Sequence, residues 1–69
     1  MNVIVAERIK DLMVEKGLNQ VNLAKKIGVK QNTISAWLRK KKEPCIFSLW
    51  LLADFFEVSI DYLVGRKSD

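Results

Sequence analysis

Residues 18–42 read Leu18-Asn19-Gln20-Val21-Asn22-Leu23-Ala24-Lys25-Lys26-Ile27-Gly28-Val29-Lys30-Gln31-Asn32-Thr33-Ile34-Ser35-Ala36-Trp37-Leu38-Arg39-Lys40-Lys41-Lys42. Two short helical patterns flank a single glycine. Apolar Val21, Leu23, Ala24 and Ile27 precede Gly28, and Ile34, Trp37 and Leu38 follow it. Leu23, Ala24, Ile27 and Ile34 recur at the steps a buried helical stripe requires. Gly28 stands where the first helix must end with positive φ, a conformation glycine reaches without a Cβ clash. Val29 then plugs the corner.

Two helices joined by a tight, glycine-containing turn have the form of a helix-turn-helix. The same 18–42 stretch carries seven Lys or Arg residues and no Asp or Glu. From Glu43 to Gly65 the balance reverses, with four acids and no bases. A basic segment coincident with a helix-turn-helix pattern implies an electronegative partner, and double-stranded DNA fits best. The net charge of +4 agrees with that direction, although alone it would serve solubility equally well.

The pattern extends along the chain. Val3 to Lys16 reads as a first helix, with Val5, Ile9, Leu12 and Met13 on its apolar stripe and Glu7, Arg8, Lys10, Asp11 and Glu15 on the other face. Gly17 ends it, and Leu18 returns to the core. A second helix runs from Gln20 to Ile27 with Asn19 as its N-cap. A third runs from Gln31 to Arg39, with Lys30 in the cap position. Lys40 to Pro44 connects onward, and Pro44 biases Glu43 away from helix. A fourth helix spans Ile46 to Phe56, and Ser59 caps a short fifth from Ile60 to Val64. Ile46, Leu49, Leu52, Ala53 and Phe56 form its core stripe, joined by Val58, Ile60 and Leu63. Phe47 and Leu51 lie off that stripe, one turn apart. They are either a wide core face or a protein contact. Trp37 reads as structural, and Trp50 as core or interface. Arg66 to Asp69 reads as a frayed polar tail. The sequence therefore predicts an all-α bundle of five helices, one domain over residues 1–69.

In order and spacing, Gly17-Leu18-Asn19-Gln20, Leu23-Ala24-Lys25-Lys26-Ile27-Gly28-Val29, Gln31-Asn32-Thr33-Ile34-Ser35-Ala36-Trp37, Pro44 and Val58-Ser59-Ile60-Asp61-Tyr62-Leu63-Val64-Gly65-Arg66 resemble the Cro/CI-type (XRE) helix-turn-helix repressors of phages and bacteria. The resemblance runs from about Ala6 to Arg66. It implies the lambda-repressor-like five-helix fold and a sequence-specific transcriptional regulator that works as a homodimer on a palindromic operator. It also implies roles for two glutamines: Gln20 touches a phosphate and braces Gln31, which reads an adenine. Two positions depart from the family habit. Lys30 replaces the usual capping residue. Lys40 stands where glycine is common, so it either extends the third helix or accepts left-handed strain.

Chemistry assigns the remaining contacts. Gln31 and Asn32 can each pair bidentately with adenine, Thr33 can pack its methyl on thymine, and Ser35 faces outward beside them. Lys30, Arg39, Lys40, Lys41 and Lys42 are phosphate contacts, with Asn22 adding a backbone contact. Lys25 and Lys26, at the far end of the second helix, read as solubilising. A dimer must use the other half of the domain, with Phe47 and Leu51 near the contact, because basic faces would repel. Binding should weaken steeply with salt.

Other classes have less support. There is no His, and the lone Cys45 has neither base nor partner, so no catalysis, metal or cofactor is expected. Asp54, Glu57 and Asp61 read as a solvated face. No small-molecule ligand is evident. A single cysteine suits the cytosol, and no leader or membrane-spanning run appears. The rival functions are an antitoxin or accessory regulator of the same fold, and a pure protein-interaction module.

Overall fold

The computed structural model describes residues 4–66. Five helices follow one another: α1 (Val5–Lys16), α2 (Gln20–Ile27), α3 (Gln31–Leu38), α4 (Ile46–Phe56) and α5 (Ile60–Val64). No strand occurs among the described residues. The expected start of α1 at Val3 lies outside them, as do residues 67–69 of the expected tail. Ile4 caps α1 instead, with non-helical backbone angles. The third helix is one residue shorter than expected, because Arg39 has already left helical geometry at φ −89° and ψ 4°.

The boundaries follow from local chemistry. Asn19 caps α2 by accepting a hydrogen bond from the Asn22 amide at 2.8 Å. Ser59 does the same for the Tyr62 amide at 3.0 Å and starts α5. Lys30 caps α3 with no side-chain bond, as its side chain has no acceptor to offer. Gly28 ends α2 at φ +78°. A Cβ there would meet nothing within 4 Å, so the demand for glycine is conformational and not steric. Gly65 is different. An added Cβ would lie 2.7 Å from Ile4 Cγ1, so this glycine also lets Ile4 pack on the end of α5.

The core gathers the expected stripes. Ile9, Leu23, Ile34, Leu52 and Leu63 are fully enclosed, one from each helix. Around them pack Val5, Leu12, Met13, Ala24, Ile27, Trp37, Leu38, Ala53 and Phe56. Leu18, Val29, Leu49, Val58 and Ile60 are half-buried against this cluster. Trp37 is structural, only 3% exposed. Arg8 ties α1 to α5, its guanidinium 4.3 Å from the centre of the Tyr62 ring.

α4 departs from expectation at its start. Ile46, assigned to the core stripe, is 69% exposed. The buried residues of α4, Leu52, Ala53 and Phe56, come from its later turns, and Leu49 before them is only half-buried. A periodic stripe continues to the end of a helix whether or not another element faces it. The pair Phe47 and Leu51 divides: Leu51 packs against the core, while Phe47 is 68% exposed. Trp50 is exposed as well, so the apolar surface of α4 comprises Ile46, Phe47 and Trp50. No described helix is long and apolar enough to cross a membrane.

Candidate nucleic-acid interface

α2 and α3 pack on each other, and α1 supports α3 from behind. Ile34 is the fulcrum. With no exposed surface, it locks α3 to the core and turns the flanking residues outward. Gln31 and Asn32 are exposed in the first turn, while Thr33 and Ser35 are half-buried beside them. Lys30 is exposed just before the helix. The α3 start carries no side-chain cap and no acid in its first turn. Its open amide groups and dipole therefore favour an anion.

The two glutamines meet across the helix-turn-helix. Gln31 Nε2 donates to Gln20 Oε1 at 2.8 Å. The bond leaves the chemistry of both residues usable. Gln31 keeps Oε1 and its second N–H, a pair that can match adenine N6 and N7. Gln20 keeps both N–H groups, which can donate to a phosphate oxygen. Because Gln20 is in the first turn of α2 and Gln31 in the first turn of α3, the contact also registers the two helices. Asn22 stands exposed one turn after the cap, its amide held by Asn19.

The connector after α3 forms the second basic group. Lys40 adopts left-handed geometry at φ +61°. Of the two expected outcomes, the chain takes left-handed strain over a longer helix. Two hydrogen bonds fix it there: the Lys40 amide donates to Trp37 O at 3.1 Å, and the Lys41 amide to Ala36 O at 2.9 Å. This is the Schellman closure, here with lysine in the glycine position. Arg39, Lys41 and Lys42 are exposed around it. The side chain of Lys40 goes elsewhere. Its Nζ lies 2.8 Å from Glu7 Oε1 on α1. That hydrogen bond, with the ammonium charge behind it, holds the Glu7 carboxyl below the usual carboxylate range. Lys25 and Lys26 sit exposed in the last turn of α2, where they suit the dipole of that helix end.

Sequence reasoning did not find the Glu7–Lys40 pair. Glu7 was one of several charges on an outward face, and nothing local connects it to a residue 33 positions away. The exposure of Ile46 was likewise invisible. The exposed Cys45 has its thiol 3.5 Å from Ser48 Oγ, and hydrogen bonding with Ser48 pulls its pKa down.

Comparisons with known proteins agree with this architecture. The P22 c2 repressor, solved in complex with a synthetic operator, superposes with a TM-score of 0.84 at 32% identity, over 91% of this chain and 96% of that one. The N-terminal DNA-binding domain of SinR from Bacillus subtilis gives 0.85 at 30% identity, over 96% of this chain and 97% of that domain. In sequence, the cryptic phage CTXphi transcriptional repressor RstR of Vibrio cholerae is 39% identical over 87% of this chain and 54% of its own length. The chain spans about half the length of the curated relatives it matches. With the helix-turn-helix family model matching residues 9–63 and phage repressors among its relatives in both sequence and structure, the chain belongs to the Cro/CI-type helix-turn-helix family of phage and bacterial transcriptional regulators.

Proposed function

We propose that this chain is a sequence-specific DNA-binding domain of a transcriptional repressor, acting in the cytoplasm as a homodimer with α3 of each subunit in the major groove. The observation that carries the reading is the 2.8 Å bond between Gln20 and Gln31. A polar helix start could serve solvation alone. A glutamine braced by a second glutamine, with its base-reading pair of groups left available, is built for recognition. Gln31, Asn32, Thr33 and Ser35 read bases in this scheme. Gln20, Asn22, Lys30, Arg39, Lys41 and Lys42 hold the phosphates, which gives affinity and register without sequence choice.

The test is selection of bound duplexes from a random pool, followed by titration of the preferred site. Gln31→Ala should cost about 1–3 kcal/mol at that site and relax the preference at one base pair. Gln20→Ala should reduce affinity and part of the same preference, since it removes both the phosphate contact and the brace. Selection that returns no preferred sequence would sink the reading. The rival, a module that binds protein in place of DNA, has one observation in its favour: the exposed Ile46, Phe47 and Trp50. It would be supported if the domain bound no duplex and Gln31→Ala changed nothing.

A further inference from the structure

The cations of the acid-free basic run are exposed, and Lys40, itself 67% exposed, is drawn into a surface ion pair. The ammonium of Lys40 is 2.8 Å from the Glu7 carboxylate. We propose that Glu7 is an internal competitor for phosphate: it commits Lys40 to α1 and so withholds one cation from the DNA-contacting set, lowering the sequence-independent part of DNA affinity. The inference rests on the DNA-binding reading above.

Three observations support it. First, the backbone of Lys40 is held in place. Its left-handed φ of +61° is locked by the amide bonds of Lys40 to Trp37 O and Lys41 to Ala36 O. The side chain therefore starts from a fixed Cα, and Glu7 needs to hold only the flexible stem. Second, Arg39, Lys41 and Lys42, on either side of Lys40, are exposed. Among the described residues, Lys40 is the member of this run with an ion pair, and its acid comes from a different helix. Third, the same bond acts on Glu7: the hydrogen bond to Lys40 is the leading cause of its lowered pKa. A carboxylate offers an ammonium the same kind of charged oxygen acceptor as a phosphate diester. Phosphate contacts carry no sequence information, so withholding one weakens random and specific binding alike. Because both fall by the same factor, the specificity ratio is unchanged, and what Glu7 lowers is overall DNA affinity and its salt dependence.

The experiment measures binding to a mixed-sequence duplex of roughly 20 base pairs, two turns of B-DNA, as a function of salt. Each phosphate contact contributes about 0.9 to the log–log slope. Glu7→Gln should steepen the slope by about 0.9, which is roughly a three- to fourfold change in relative affinity between 50 and 200 mM salt. Lys40→Gly keeps the left-handed backbone and removes the ammonium, and it should leave the parental slope unchanged. The double variant Glu7→Gln with Lys40→Gly should return to the parental slope. Glu15→Gln, at the other end of α1, controls for total charge and should not alter the slope. Circular dichroism confirms that each variant is folded. The proposal is overturned if Lys40→Gly makes the slope shallower by about 0.9, because Lys40 then already touches phosphate. It is also overturned if Glu7→Gln keeps the parental slope, or if Glu15→Gln steepens it as much. A parent that binds no duplex overturns the DNA reading itself, whereas any of the preceding three outcomes with a binding parent overturns only the role of Glu7.

Discussion

Glu57 shows how one residue can work against its own backbone. It ends α4 at φ +58°, ψ 44°, a left-handed conformation in which a side chain is strained. Its amide bonds to Asp54 O and that of Val58 to Ala53 O, the closure that glycine normally provides. Glu57→Gly should therefore stabilise the fold. Relief of strain outweighs the extra freedom of glycine in the unfolded chain, for a net gain of about 0.5–1 kcal/mol. In a domain of this size that corresponds to a rise of roughly 2–8 °C in the thermal midpoint. A lower midpoint would show that the Glu57 side chain makes a contact worth more than the strain. Glu7 is the second case. Its pKa is lowered in the folded state by Lys40. A carboxyl with a depressed folded pKa contributes stability above its unfolded pKa and loses it as pH falls through the folded value. Between neutral pH and the acid side of the ordinary carboxylate range, the parent should lose slightly more stability than Glu7→Gln. Equal losses in thermal melts across that window would mean the pair adds nothing to folding.

The helix-turn-helix is α2, its turn and α3 taken together. Neither helix is long enough to persist alone, since each has eight residues. Both exist because Leu23, Ala24, Ile27, Ile34, Trp37 and Leu38 pack into one core. What positions the element is therefore capping at one end and packing throughout. Asn19→Ala removes the cap that receives the Asn22 amide at 2.8 Å. It should cost about 1 kcal/mol and shift the thermal midpoint down by roughly 4–8 °C. It should also loosen the helix end that carries Gln20, so amide exchange at Asn22 and Leu23 should speed up ahead of that in α1. Unchanged exchange there would mean that core packing alone defines the start of α2.

At the scale of the whole molecule, size decides what a single domain can do. Its longest dimension is 27 Å. One turn of B-DNA is about 34 Å, so two successive major grooves require two copies. The homodimer proposed here would pair subunits through the apolar start of α4. Ile46, Phe47 and Trp50 stand exposed there, beside a groove of about 380 Å³ lined by Trp50, Ala53, Asp54, Glu57, Val58 and Ile60. Burying one large apolar side chain contributes about 1.5–3 kcal/mol, and two-fold symmetry counts it twice. Phe47→Glu with Trp50→Lys should leave helical circular dichroism intact, because both side chains are about two-thirds exposed. Sedimentation should then show a dimer dissociation constant raised at least tenfold, with weaker operator binding alongside it. A folded variant that binds its operator like the parent would place the interface elsewhere. Leu51 is the less informative site, since it packs against the core and its replacement would disturb folding.

The amino-acid sequence by itself determined the five helices, the Asn19 and Ser59 caps, the glycine ends of α1, α2 and α5, and the core stripes apart from Ile46. These are local or periodic features. A cap acts over three residues, a helical stripe repeats every three or four, and a left-handed helix end needs one residue that tolerates it. Tertiary structure decided what depended on which elements face each other. It left the apolar Ile46 outside the core, because that residue stands in the first turn of α4 and the enclosed residues come from later turns. It separated Phe47 from Leu51, which share a helical spacing but not a partner. It drew Lys40 to Glu7 across 33 residues of chain, a pairing with no local signature. Even the contact between Gln20 and Gln31, implied by resemblance, acquires its 2.8 Å geometry only when Ile34 anchors α3 against α2. Periodicity specifies which face of a helix is apolar, and only the packing of the other helices specifies how much of that face is covered.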